Sequence, residues 1–452
     1  MNARIRLIGL VALLAALLLG LALPQPAAAA PTCTTDCYVD PTGSDANDGA
    51  SAATPLQSIQ LAVNTVAPGG AVHLAAGTYS GDTMLSPEGW RELYITKSLT
   101  MLGAGSATTI VQFREETTGI EIEGNTNGEI TFQGITFTKV PANTNAAGFN
   151  IRFVEWATKS FNKVTFKDVI SEYASGRNVM LGSNSTYNAV VVEDSTFRHA
   201  GAWGFTISGP ANNVTITNSH FDNNGRIDKG HAVGLDFEAA GGTSNVSVTG
   251  STFNDNGTKT TNGSKGINIL KLTNATFDNI EAHNNFDGVI IWEWHSTTSG
   301  ITIKNSDLTG NMRGITIGSE TGKTVNNVTI TGNDLSGNSN GVLIYRAAGW
   351  GEGAITNLDI NRNNLSSNPS AGINAVMPYE THDGTCNWWG AADGPSLAGP
   401  GSGSKVTTGV TFSPWLYTSD LSGPCYVGGT ISIDKVAAGA GALEFEFDVS
   451  WS

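Results

Sequence analysis

The chain has 452 residues, with 24 basic against 39 acidic side chains, a net charge of −15 and 55 glycines. So acidic a surface lacks the basic footprint that nucleic acid or an anionic membrane requires, and both are excluded as partners. The low charge density and abundant glycine fit an extracellular β protein.

Residues 1–30 read as a secretory signal peptide. Arg4 and Arg6 precede an apolar run from Leu7 to Leu23, and Pro26 to Ala30 offers small-residue cleavage sites. The alanine tract favours cleavage over anchoring, and no later run is apolar for long enough to cross a bilayer. The expected mature chain is therefore secreted, extracellular or at the cell surface, a monomer without a transmembrane anchor. Four cysteines in a secreted chain point to two disulfides. Cys33 and Cys37 are close enough to close a small loop, and Cys386 and Cys425 would then tie down the C-terminal end. A zinc site would need a close pair on both sides, and only one end has one.

From Pro55 to Val66 the apolar residues Leu56, Ile59, Val63 and Val66 fall at helical spacing, which predicts a short amphipathic helix. After it, Ala71 to Ser80 opens a sheet. The rest of the chain to about residue 425 is a repeat. Pairs of apolar residues two positions apart begin at Ile130, Val164, Val190, Val214, Val246, Ala275, Ile301, Val328 and Leu358, at intervals of 24 to 34 residues. A glycine followed by alternating apolar residues recurs in most units: "GFNI" at 148, "GFTI" at 204, "GLDF" at 234, "GINI" at 266, "GVII" at 288, "GITI" at 314, "GVLI" at 341 and "GINA" at 372. Asparagine-rich turns lie between.

Alternation in short runs means strands with one buried face, and turns this short leave no room for helices. Such units wind into a solenoid, each coil stacking on the last about 4.8 Å away. The expected fold is all-β: a right-handed parallel β-helix of roughly ten or more coils, residues 31–425, closed at its start by the helix. Residues 426–452 change texture. Their alternating strand from Leu443 to Trp451 reads as a final capping strand or as the start of a second β domain.

Stacking lets positions be compared between coils. Two residues after each glycine stand Asn150, Thr206, Asp236, Asn268, Ile290, Thr316, Leu343 and Asn374, and these should face outward. Asp236 and Glu238 share that face on one strand, with His231 at its entry. Two carboxylates at such spacing are what glycoside hydrolysis needs, whereas β-elimination or epimerisation needs a base and a cation beside the uronate. Lys265, Asp287 and Arg313 precede their glycines on successive coils and should pair in charge. Trp292 and Tyr345 fall in one column with Gly318 between them, a platform for the apolar face of a sugar. Trp203 would extend it, and Glu293, His295 and Arg346 lie at the strand ends. The candidate catalytic residues are thus Asp236, Glu238 and His231. The candidate substrate-binding residues are Trp203, Lys265, Trp292, Glu293, His295, Arg313, Tyr345 and Arg346, with a polysaccharide as partner. No metal ligands are assigned. Calcium is the cofactor that the oxygen-rich stretches Asp40 to Gly49 and Glu123 to Glu129 would take, although neither completes a calcium loop.

The opening "YVDPTGSDANDGASAATPLQSIQLAVNTVAPGGAVHLAAGTYSG" (Tyr38 to Gly81) resembles that of secreted parallel β-helix proteins of the pectate-lyase-like superfamily. "CNWWGAADGP" with "VTFSPWL", between Cys386 and Leu416, is similar to the closing coil of bacterial surface members. The resemblance implies the fold across residues 38–417 and leaves the chemistry open, since the superfamily holds lyases, hydrolases, epimerases and proteins with no known chemistry. Polygalacturonase-like members carry adjacent aspartates with Gly-His-Gly, and here Gly230-His231-Ala232 stands without them. The Asp-Pro-His of epimerase-like members is missing. Two readings follow: a secreted protein that binds and cleaves a polysaccharide, as lyase or glycoside hydrolase, or a non-catalytic, adhesin-like surface rod.

Overall fold

A computed structural model describes residues 31–84, 90–115, 117–139, 148–345, 352–376, 380–426, 431–439 and 442–449. Strands of the repeat stack in parallel into a β-solenoid of about 11 turns. Its two main sheets have 18 and 13 strands among the described residues. The expected register holds along the long sheet, where Ile130, Val164, Val190, Val214, Val246, Ala275, Ile301, Val328 and Leu358 sit on consecutive rungs. These side chains point inward and form one continuous buried core with Phe132, Phe166, Phe205, Phe237 and Phe277.

The helix runs over Ile59–Thr65, shorter than the apolar pattern, and buries Ile59, Ala62 and Val63 against the first coil. Ser58 begins it, its backbone N–H and hydroxyl both donating to the Asp45 carboxylate. Disulfides join Cys33 to Cys37 and Cys386 to Cys425. Ile431–Gly439 and Ala442–Val449 pair as an antiparallel hairpin of their own. The expected leader lies outside the described residues.

The recurring glycine has a packing cause. Asn224, Asn256, Asn285, Asn311, Asn338 and Asn368 stack inside the turns before six successive strands of the 13-stranded sheet; the Asn224 side-chain oxygen accepts the backbone N–H of Ala200, and each of the others accepts that of the asparagine one coil before. A Cβ on Gly204, Gly234, Gly266, Gly288, Gly314 or Gly341 would come within 2.7–3.2 Å of the ladder amide beside it. Only a residue without a side chain leaves the asparagine its place.

One alignment is corrected. "GFNI" at 148 does not join this glycine column, because Ile151 pairs with Val179 and Arg152 with Met180, the neighbour of Thr206. Arg152, not Asn150, is therefore the outward residue in the column of Asp236. Asn150 and Asn178 stand where later coils have glycine. Their amides donate to the carbonyls of Glu172 and Arg198, supplying from the strand what the turn asparagine supplies later. The Arg177–Leu181 strand carries no glycine and had no signal in the repeat.

Candidate functional site

The outer face of the 13-stranded sheet carries a cleft of about 370 Å³ over the strands Lys265–Ile269, Asp287–Glu293, Arg313–Ser319 and Asn340–Tyr345. Asn268, Ile290 and Thr316, on adjacent rungs, make its floor. Lys265, Asp287 and Arg313 form one wall; Trp292, Trp294 and Tyr345 form the other. Strand alternation places the floor and the aromatic wall, whereas Lys265, Asp287 and Arg313 share the parity of the inward pairs and line the cleft from the strand starts.

The ionic wall is built as its column order suggested. Arg313 lies 3.6 Å from Asp287, whose oxygen also accepts the Thr316 hydroxyl at 2.5 Å. Burial raises the Asp287 pKa, against the pull of Arg313, Thr316 and Lys265. The aromatic wall depends on Gly318. The rings of Trp292 and Tyr345 lie 5.6 Å apart, and a Cβ on Gly318 would stand 2.4 Å from the Trp292 ring. Trp294 is half exposed, and its indole N–H donates to His295 Nε2 at 2.8 Å.

Of the residues expected to bind substrate, Lys265, Trp292, Arg313 and Tyr345 thus meet in one cleft. Glu293 does not reach it. Its carboxylate is fully buried and accepts from the backbone of Lys271, His295 and Ser296 and from the Thr298 hydroxyl, so it closes the loop. His295 supports Trp294 from outside the lining. Trp203 lies two rungs before Lys265, with the Arg177 guanidinium 4.2 Å over its ring. Arg346 lies outside the described residues. Trp294, Asn268, Ile290 and Thr316 also line the cleft, although they are not among the residues expected to bind substrate. The "WEWH" alternation placed Trp294 on the face of Trp292, and that signal could have found it.

The carboxylate pair sits beside the cleft. Asp236 is only 2% exposed although it faces outward, and it accepts the Asn268 amide at 2.7 Å. Burial, with Glu238 adding to it, pushes its carboxyl up to about 7. Glu238 is partly exposed, accepts the Ser208 hydroxyl at 2.7 Å and lies 3.7 Å from Arg177. His231 is not on the strand, which starts at Val233. It belongs to a short 3₁₀ turn, Lys229–His231, because Asp228 accepts the N–H of Gly230 and pairs with His231 at 2.9 Å. Its ring is largely exposed and 5.9 Å from Trp203.

A carboxyl raised in the folded chain holds its proton longer than in the unfolded one, so its share of stability falls as pH rises from about 4 to about 7. Asp236→Asn is expected to flatten that part of the stability profile, read from melting curves across the window. An unchanged slope would contradict the buried-acid description.

The calcium-like stretches are occupied by protein donors. Asp40 accepts from Thr42, Asp48 from Ala50 and Thr54, and Glu123 from Tyr94 and Lys159. Among the described residues no three His, Cys, Asp or Glu side chains converge as a metal cluster.

No family model and no curated protein matches the chain. Solved structures do. It is similar to the A-module of the mannuronan C-5 epimerase AlgE4 of Azotobacter vinelandii, at 16% identity over 70% of this chain and 90% of that one, with a TM-score of 0.43. A pectate lyase matches at 15% identity, over 86% and 80% of the two chains and with a TM-score of 0.40. The catalytic domain of an α-1,3-glucanase matches at 15%, over 79% and 68%, with a TM-score of 0.42. The architecture is a parallel β-helix. The likeness is one of fold, and the reading of this β-helix's cleft rests on its own side chains.

Proposed function

We propose that this β-helix is an extracellular protein that binds a polysaccharide in the cleft, with Trp292 and Tyr345 as the sugar platform. The observation that carries the reading is the ring pair laid over Gly318, facing the ionic wall of Lys265, Asp287 and Arg313. Aromatic faces cover the apolar face of a pyranose, and the charged wall suits its hydroxyl or carboxylate groups. The paired cysteines and the apolar leader support an extracellular location.

A second reading, cleavage, is favoured by one observation: a buried carboxyl raised to about 7 beside the partly exposed Glu238. Against it, Asp236 does not line the cleft and offers almost no surface to a substrate. Binding is therefore the function the geometry supports best.

The test is to incubate the purified mature chain with neutral and uronate polysaccharides, with and without calcium, measuring both retention and products. Retention of at least one polymer without products is expected. New reducing ends or unsaturated products, lost in Asp236→Asn and Glu238→Gln, would move the assignment to cleavage. Retention of none would overturn the binding reading.

A further inference from the structure

The same outer face carries a second aromatic group, at the opposite end of the solenoid. Trp90 and Trp156 are 48% and 55% exposed, among the most exposed large apolar side chains of the described residues. They approach from opposite ends of the first coils: Trp90 directly precedes the Arg91–Ile95 strand, and Trp156 follows Phe149–Phe153, two rungs on. Their rings meet edge to face at 6.2 Å. Arg91 lies 4.5 Å from the Trp90 ring centre, and Arg152 lies 5.8 Å from that of Trp156.

The charges beneath are already matched. Arg91 pairs with Glu121 at 2.8 Å, Arg152 with Glu155 at 3.0 Å and Lys159 with Glu123 at 3.2 Å. The patch therefore presents ring surface rather than net charge, which suits the apolar face of a sugar ring and not an ionic group. The supporting arginines hold the indoles in place, so little side-chain freedom remains to be lost on binding.

From the Phe149–Phe153 strand to the Asp287–Glu293 strand is five rungs, about 24 Å at the spacing of neighbouring strands. Trp203, stacked with Arg177, stands between them on the same face. We infer that Trp90 and Trp156 form a second, separate sugar-binding site that takes a pyranose face of the same polysaccharide chain whose other segment occupies the cleft. The inference rests on the binding reading above. Two linked contacts on one rigid face raise affinity for a ligand long enough to span them, and leave a short ligand unaffected.

The experiment compares wild type, the double variant Trp90→Ala/Trp156→Ala and Trp292→Ala. The probes are dextran, laminarin, xylan, alginate and polygalacturonate, each as polymer and as trisaccharide, titrated by calorimetry. For the polymer that wild type retains, the double variant should lose at least tenfold in affinity, while its affinity for the matching trisaccharide stays unchanged. Trp292→Ala should lose both. Equal polymer affinity in wild type and double variant would overturn the second site and leave the cleft standing. Loss of trisaccharide binding in the double variant would overturn its separateness from the cleft. No binding of any probe by wild type would overturn the cleft reading and this inference with it.

Discussion

Asn311→Ala is expected to destabilise the central coils by about 3 kcal/mol, the cost of leaving two or more buried polar groups unpaired. The Asn311 oxygen accepts the backbone N–H of Asn285 at 2.9 Å, and its amide donates to the carbonyls of Ala282 at 2.7 Å and Leu308 at 3.0 Å. Alanine removes these bonds, with the weaker ones to the Asn285 amide and the Thr309 carbonyl, in a buried place. Asn311→Asp should fare no better, because it keeps an acceptor, loses both donors and adds a buried charge. In a stacked solenoid the damage is local first, so amide exchange should quicken at Asn285 and at its neighbours in the ladder before the global melting point moves. Unchanged exchange and an unchanged melting point would show that the ladder fills space without holding the turns.

The second large effect falls on binding. Trp292→Ala removes the ring that faces Tyr345 and should weaken retention of the bound polysaccharide at least tenfold, about 1.4 kcal/mol. Gly318→Val should have a similar effect without touching the ring's chemistry, because its side chain would occupy the space of the Trp292 indole. Circular dichroism of both variants should stay that of the wild type. Retention unchanged in Trp292→Ala would mean that the sugar lies elsewhere on the face.

The solenoid was legible because its determinants are local and repeated. Inward pairs such as Val214 and Ile216, or Val328 and Ile330, announce strand, face and register together. Stacking in columns makes Lys265, Trp292, Arg313 and Tyr345 neighbours, and they line one cleft. The glycine columns fail where the repeat changes its own rule. With asparagine in place of glycine at 150 and 178, the first coils shift by two residues, and nothing in a glycine pattern marks that.

Burial was the other blind spot. Glu293 stands between two outward tryptophans but shares the inward side of Val289 and Ile291, and three donors from the following loop with Lys271 N–H from the coil before enclose it. Asp236 faces outward as expected, but it is buried and accepts the amide of Asn268 from the next coil, which period alone does not show. His231, expected at the strand's entry, stands two residues before it in a 3₁₀ segment capped by Asp228, which no periodicity announces. The face an outward residue occupies follows from period; its exposure does not.

The most direct test is a crystal structure of the mature chain with a fragment of the polysaccharide it retains. Sugar density stacked on Trp292 and Tyr345, with polar contacts to Lys265 or Arg313, is the predicted result. Density confined to another face of the solenoid, with the cleft holding only water, would contradict it.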